Sequence, residues 1–171
     1  QDAVEGNRLG YRHAFATRRP VQALYLMQAP PELGFGGRIA EFAWLVKNEV
    51  RPLGMKRLGG ACHLTGSGMS FPWPLIAGAQ LASGHLVEDM QLGIELAAAG
   101  SAPEFLPEAR VFSFFAANAA GASSQRTRWE HGHLSTLGTQ VPRLLGAALR
   151  QRRLQLAAIA WDLSVPPLAL L

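Results

Sequence analysis

The segment with the most chemically useful side chains is Ser124–His133, with the sequence SQRTRWEHGH. On a helix, residues four apart share a face, so Gln125, Trp129 and His133 would form one stripe, with Arg128 beside it. An arginine binds phosphate oxygens with two parallel hydrogen bonds, and an indole stacks on the C–H face of a sugar. The segment therefore indicates a ligand that is sugar at one end and phosphate at the other. A basic surface helix with an inward-packed tryptophan explains the same residues equally well.

Two glycines, Gly66 and Gly68, flank Ser67 in the segment Gly59–Phe71. Missing side chains allow a backbone to approach a ligand closely. Glycines of this kind more often serve a plain tight turn, so the pattern alone favours a turn. His63 in the same segment is interpreted as a partly buried structural histidine rather than a ligand.

An acidic pair, Glu88 and Asp89, lies at the start of a helix predicted over Val87–Gly100. The helix dipole favours carboxylates at this position, which is the structural interpretation. The functional interpretation is that one carboxylate faces a cleft and acts as a general base. The predicted helix buries three apolar residues at helical spacing: Met90, Ile94 and Ala97.

The elements that must position these residues alternate between apolar runs and amphipathic helices. The sequence predicts buried strands, helices that end at a proline or begin with one, and an opening segment that is a loop or short helix. The predicted bounds are strands over Val21–Met27 and Ala109–Phe115, turns at Pro103 and Pro107, a helix over Arg38–Val50 stopped by Pro52, a short helix from Pro72 to Ala79, and the opening segment Gln1–Pro20.

The composition indicates a folded chain with an affinity for anions. Its 171 residues are 49% hydrophobic and 16% charged, which suits one domain with a core, or part of a larger domain. The net charge is +4, and Lys47 and Lys56 are the only lysines among the sixteen cationic residues. A basic balance of this kind can indicate nucleic acid, but the signatures of the common nucleic-acid modules are missing, and a phosphate-bearing substrate or an anionic membrane explains the charge equally well. A single cysteine, Cys62, excludes an internal disulfide framework.

In their order and spacing, these three motifs resemble those of the membrane-bound family 2 glycosyltransferases, the group of cellulose, hyaluronan and poly-N-acetylglucosamine synthases. Gln125-Arg126-Thr127-Arg128-Trp129 matches the family's Q-x-x-R-W motif. Glu88-Asp89 matches its E-D pair, and Leu64–Phe71 (LTGSGMSF) matches its G-x-G loop on the acceptor side. The resemblance covers roughly Val21 to the C-terminus.

The resemblance implies an α/β fold, namely part of a GT-A-like nucleotide-diphosphosugar transferase domain with a mostly parallel sheet between helices. It also implies inverting transfer from a nucleotide-diphosphate sugar, expected to be a UDP-sugar, to a glycan acceptor. Asp89, paired with Glu88, would be the catalytic base, Arg126 and Arg128 would hold the diphosphate, and Trp129 would stack on the acceptor. The remaining implied substrate-binding residues are Gly66, Ser67, Gly68 and Gln125.

One departure from the family concerns its metal. The family binds Mg²⁺ or Mn²⁺ and the nucleotide through a D-x-D motif, and no D-x-D occurs in this chain. We therefore expect residues 1–139 to be the acceptor-side part of a catalytic domain, with the metal motif on a preceding segment. The chain is expected not to turn over by itself.

The C-terminal residues, 140–171, are expected to form a basic amphipathic linker and the start of a membrane-associated segment. Leu154–Leu171 is apolar with one acid, Asp162, and it follows several arginines, as a cytoplasmic flank does. This predicts a protein of the cell inner membrane with its catalytic part in the cytoplasm. A buried C-terminal helix is the alternative for the segment. For the whole chain the alternative is a non-catalytic membrane-surface protein that binds glycan or anionic lipid.

Overall fold

The computed structural model describes residues 2–77, 88–115 and 137–165. Seven α-helices and three strands lie in these residues, together with a 3-10 turn at Pro31–Leu33 and a π turn at Val46–Val50. The helices are α1 (Asp2–Thr17), α2 (Gly34–Leu45), α3 (Arg51–Arg57), α4 (Trp73–Ile76), α5 (Glu88–Ala98), α6 (residues 137–151) and α7 (Leu154–Ser164). The strands are β1 (Val21–Gln28), β2 (Met69–Ser70) and β3 (Glu104–Phe114).

The three strands form a mixed sheet in the order β2-β1-β3. β1 pairs in parallel with β3 along its whole length, whereas β2 pairs antiparallel with the first two residues of β1. The sheet is therefore mostly parallel, as expected, with β2 as a short antiparallel addition at one edge. β2 runs in the reverse direction because the glycine segment turns back beside β1. The predicted strand Val21–Met27 is confirmed as β1.

β3 begins earlier than predicted because the chain passes through Pro107 without leaving the sheet. Ala23 of β1 pairs with Leu106, but the next residue, Leu24, pairs with Arg110. The residues between Leu106 and Arg110 form a bulge, where a proline costs no ladder hydrogen bond. The predicted turn at Pro107 is thus a bulge within the strand Glu104–Phe114.

Helices cover the sheet on both faces. Val21 and Ala23 pack with Ala14 of α1, and Leu24 packs with Cys62 and the half-buried Leu53 of α3. Successive strand residues point to opposite faces, so α1 and α3 lie on opposite sides of β1. The opening segment, predicted to be a loop or short helix, is the 16-residue helix α1.

The helix predicted to stop at Pro52 continues through it. α2 passes into the π turn at Val46–Val50 and then into α3, whose first turn contains Pro52. At the end of the π turn, the Arg51 N–H donates to the carbonyl of Val46, five residues back. Proline is tolerated at the first turn of a helix because its missing N–H would have no intrahelical partner there. The helical run therefore extends to Arg57.

The C-terminal helices pack on α5 and form the largest core cluster of the described residues. α7 contributes four buried apolar residues, and the stripe predicted for α5 is confirmed by the buried Ile94 and Ala97 with Met90 beside them. No helix within the described ranges is long and apolar enough to cross a membrane. Over Leu154–Ser164 the alternative of a buried helix is confirmed, because these apolar side chains face the protein core: Leu156, Ile159, Ala160 and Leu163. The association of residues 140–171 with a membrane stays a prediction.

Candidate functional site

A buried glutamine on β1 holds the glycine segment in place. The side-chain amide of Gln22 donates to the carbonyl oxygens of Ser67 and Ala23, both at 2.8 Å, and its oxygen accepts from the Thr65 N–H at 2.9 Å. Gln22 is only 2% exposed. It was not among the predicted site residues, although a lone polar residue among the apolar residues of VQALYLM was the signal for it. We define residues 65–68, which this amide fixes, as the glycine loop.

Both glycines of the glycine loop are required by its geometry. Gly66 and Gly68 have φ angles of +80° and +69°, a backbone conformation that other residues seldom adopt. A Cβ atom on Gly68 would lie 2.9 Å from side-chain atoms of both Ala23 and Val111. The loop therefore lies directly against β1 and β3, at a distance that only glycine allows.

The close approach of Gly66 to Asp89 brings two of the sequence motifs together. A Cβ atom on Gly66 would lie 3.1 Å from Oδ2 of Asp89, at the start of α5. The carboxylate thus lies directly over the backbone of the glycine loop. Asp89 and Gly66 are far apart in the sequence, so the fold, and not local structure, makes this contact.

Two residues that the sequence analysis did not select for the site, Trp44 and Lys47, lie close together where α2 passes into the π turn. The ammonium nitrogen of Lys47 is 5.3 Å from the centre of the Trp44 ring. The Trp44 indole donates from Nε1 to the carbonyl of Tyr25 at 3.0 Å, and its ring makes edge contacts with Tyr25 and Phe115. Trp44 is therefore fixed at the carboxyl end of the parallel pair β1 and β3, the end where α/β sheets bind ligands.

Lys47 and Asp89 interact through their charges. Burial lowers the pKa of Lys47 below its ordinary value, the Asp89 carboxylate opposes that shift, and the Arg51 guanidinium adds to it. The described part of the site thus combines a base candidate, a cation and a close backbone approach. The side chain of Glu88 lies outside the described residues, as do Gln125, Arg126, Arg128 and Trp129.

Comparison with known families decides what kind of protein carries this site. The family model of glycosyl transferase family group 2 matches residues 37–171, which is more than half of the chain. The chain belongs to this glycosyl transferase family. It is therefore an α/β transferase domain of the kind that uses a nucleotide-sugar donor and an acceptor. No curated protein and no solved structure matches the chain.

The residues of this glycosyltransferase that the structure describes do not fit a metal site. No group of three His, Cys, Asp or Glu side chains that could hold an ion occurs among them. Burial raises the pKa of the Cys62 thiol to about 12, so it stays protonated and is a poor ligand. We therefore derive no step of the reaction through a metal held by these residues.

Asp162 of α7 is engaged in a separate polar cluster. Its Oδ1 lies 2.8 Å from Nη2 of Arg51, and its Oδ2 lies 3.1 Å from Nε2 of His63. The carboxylate and the His63 ring are close together, but their geometry does not make a well-directed hydrogen bond. Burial would raise the pKa of Asp162, but His63 and Arg51 outweigh it and lower the pKa below its ordinary value. His63 is half-buried beside Asp162, as expected of a partly buried histidine, and its interpretation as structural stays a prediction.

Replacing Gly66 with alanine should reduce transfer without unfolding the glycosyltransferase. The new Cβ would press on the Asp89 carboxylate, which must move by a few tenths of an ångström. Misplacing a catalytic group by even a fraction of an ångström slows chemistry, and we expect about a tenfold lower kcat. Steady-state kinetics of the full-length protein would measure this effect.

Gly59→Ala is the matched control for that substitution. Gly59 also has a positive φ, +70°, but nothing lies within 4 Å of its Cβ position. Both variants therefore carry the same backbone strain of about 1–2 kcal/mol, and only Gly66→Ala touches Asp89. Equal kcat values for the two variants would contradict a role for the Gly66–Asp89 contact.

Proposed function

We propose that this protein transfers a sugar from a nucleotide-diphosphate sugar to a glycan acceptor with inversion at the anomeric carbon, and that Asp89 is the base. The observation that carries the proposal is the close approach of the Asp89 carboxylate to Gly66, where an added Cβ would lie 3.1 Å from Oδ2, so that the aspartate of the acidic pair lies beside the glycine loop. A UDP-sugar is the proposed donor, and synthesis of a polysaccharide is the proposed context. Family membership favours this reading over a non-catalytic membrane-surface protein.

The proposed reaction is a single displacement. The acceptor hydroxyl loses its proton to Asp89 as its oxygen attacks the anomeric carbon of the donor. The new carbon–oxygen bond forms on the face opposite the diphosphate, the bond to the diphosphate breaks, and its electron pair leaves with that group. A base of this kind contributes about 10²–10⁴-fold to a rate. The missing side chain of Gly66 lets the backbone of the glycine loop lie close to this carboxylate.

The remaining roles fall to residues outside the described ranges and follow from their chemistry. Arg126 and Arg128 would bind the diphosphate, whose negative charge grows as the bond breaks. Trp129 would stack on the terminal sugar of the acceptor, and Gln125 would hydrogen-bond within the same site. Mg²⁺ or Mn²⁺ would be bound by carboxylates other than those described. The chain contains no D-x-D motif, so we propose that turnover needs a longer protein that carries one.

Replacing Arg128 and replacing Trp129 should impair different activities, because the two residues would contact different parts of the substrates. Arg128→Ala removes a contact that strengthens in the transition state, so kcat for transfer should fall about 10²-fold. Trp129→Ala removes a stacking surface for the acceptor, so acceptor use should weaken by about 1–3 kcal/mol, by analogy with stacking on bases. Hydrolysis of the donor by water needs no acceptor. It should therefore be lost with Arg128→Ala and retained with Trp129→Ala.

Measuring transfer and hydrolysis side by side in the full-length protein tests these assignments. Arg143→Ala is the matched control, because Arg143 is an exposed arginine on α6 and should leave both activities unchanged. Equal losses of transfer and hydrolysis in the Arg128 and Trp129 variants would show that these residues only stabilise the fold.

A further inference from the structure

Two adjacent residues of β1 hold three of the four residues of the glycine loop. The side-chain amide of Gln22 donates to the carbonyl oxygen of Ser67 at 2.8 Å, and its oxygen accepts from the Thr65 N–H at 2.9 Å. The backbone N–H of the next strand residue, Ala23, donates to the carbonyl of Gly68 at 2.9 Å. The conformation of the loop is therefore set from the strand.

The fourth residue of the glycine loop, Gly66, is the one that lies beside Asp89. Its Cβ position is 3.1 Å from Oδ2 of that carboxylate. Both chain neighbours of Gly66, Thr65 and Ser67, are hydrogen-bonded to the Gln22 amide, so a shift of the Gly66 backbone away from β1 would break one of those bonds. The contacts of one buried amide thus end one residue away from the proposed base.

The chemistry of this place requires an amide. Two carbonyl oxygens and one N–H face the side chain of Gln22, and glutamine offers two donors and an acceptor in a single group. Gln22 is 2% exposed and lies in the strand between the buried Val21 and Ala23. A polar group at such a place costs free energy unless it is hydrogen-bonded, and an apolar side chain would fill the same space without that cost. The regular pairing of β2 with β1 begins at Met69, after the loop, so the bonds to Gln22 are what this polar group adds.

We propose that Gln22 is a positioning residue for glycosyl transfer, and that its side-chain amide fixes the glycine loop and, through Gly66, the place of the Asp89 carboxylate. The inference rests on the proposed function, in which Asp89 accepts the acceptor's proton. Gln22 takes no part in that proton transfer. It acts by keeping the loop from moving toward or away from the base, because a small misplacement of a catalytic group slows the reaction.

A double-mutant cycle tests whether Gln22 acts through Asp89. Gln22→Met keeps the length of the side chain and removes its hydrogen bonds, so kcat of the folded full-length protein should fall about tenfold. In the Asp89→Asn background the same change should lower kcat by less than about twofold, the scatter of independent effects, because no base remains to be misplaced. Gln28→Met is the matched control at the exposed end of the same strand, and it should change kcat in neither background.

Two results of this cycle overturn the proposal. The first is a tenfold loss that persists in the Asp89→Asn background, because Gln22 would then act on the fold and not through the base. The second is an unchanged kcat for Gln22→Met in the presence of Asp89. Circular dichroism at the assay temperature shows that each variant is folded when its kcat is measured.

Gln22→Glu keeps the proposal testable if Gln22→Met does not fold. An ionised carboxylate only accepts hydrogen bonds, whereas the protonated acid donates one and accepts one, as the Thr65 N–H and one carbonyl require. Burial raises the pKa of a carboxyl group, so the kcat of this variant relative to wild type should rise about fivefold or more between about pH 8 and about pH 5.5. Gln28→Glu should show a ratio that does not vary with pH. A constant ratio for Gln22→Glu overturns the proposal.

Hydrogen exchange of the full-length protein separates this inference from the proposed function. The Thr65 N–H is bonded to the Gln22 side chain, so its exchange should be about tenfold faster or more in Gln22→Met and unchanged in Gln28→Met. If no sugar is transferred, or if Asp89→Asn stays active, the proposed function fails, and the exchange of Thr65 still decides whether Gln22 fixes the loop. If Asp89→Asn behaves as expected and the Gln22 variants do not, only the role of Gln22 fails.

Discussion

Asp89→Asn should lower the rate of glycosyl transfer by ~10²-fold or more, because it removes the group that accepts the acceptor's proton. Asparagine keeps the size of the side chain and its place over Gly66, so the fold and the binding of the donor should survive. The measurements are kcat for transfer in the full-length protein and the dissociation constant of the nucleotide sugar by calorimetry. A variant that kept more than about a tenth of the wild-type rate would contradict the assignment, since a general base contributes at least ~10²-fold.

Glu88→Gln is the matched control for that experiment. It removes the neighbouring carboxylate of the same acidic pair and leaves Asp89 unchanged. Only one of two adjacent helical residues can present its carboxylate to the glycine loop, and the structure shows that Asp89 does so. We therefore expect a much smaller loss from Glu88→Gln than from Asp89→Asn.

The largest expected effect on stability comes from Asp162→Asn. The substitution leaves the half-buried Arg51 and His63 beside a neutral amide. Breaking a fully buried ion pair costs about 3–5 kcal/mol, which is the upper bound for this half-buried one. The backbone carbonyl of Asp162 still accepts from Arg51 in the variant, which places the expected cost at or below the lower end of that range. Urea unfolding at pH 7 would measure the difference, and Glu108→Gln, at an exposed site on β3, is the control that should change stability little.

The contacts of Asp162 with Arg51 and His63 also predict how the free energy of unfolding depends on pH. The pKa of Asp162 is lowered in the folded protein, so the unfolded chain binds the proton more tightly. The stabilisation is therefore fully present above the unfolded pKa of about 3.9 and is lost as the pH falls through the lower folded value. The difference in the free energy of unfolding between wild type and Asp162→Asn should therefore decrease at acidic pH. A difference that stayed constant from pH 7 to pH 3 would contradict this account of the cluster.

The elements predicted best are those whose pattern is local. The apolar run from Val21 predicted β1, and the helical spacing of Met90, Ile94 and Ala97 predicted the inward face of α5. The bulge at Pro107 was missed because a proline usually ends a strand, and only the pairing with β1 shows that the strand continues. The continuation of the helix through Pro52 was missed because it depends on the hydrogen bonding of the preceding π turn.

The site could be predicted only in part, for a physical reason. Gly66 and Asp89 were each recognised from their own motifs, but their contact depends on how α5 packs beside the glycine loop. Lys47 belongs to no motif, and its place over the Trp44 ring depends on the π turn that follows α2. The buried tail was ambiguous because Leu156 and its apolar neighbours suit a membrane and a protein core equally well, and the core they fill is supplied by α5 and α6.

The central claim is that Asp89 acts by removing the acceptor's proton, and a nucleophile that carries no proton tests it most directly. Azide is an anion and needs no base to attack the anomeric carbon. In the full-length protein, Asp89→Asn should lose transfer to the hydroxyl acceptor and still form the inverted glycosyl azide at a rate close to that of the wild type. Loss of azide transfer as complete as the loss of hydroxyl transfer would contradict the claim, because Asp89 would then act on the donor or the structure and not as the base.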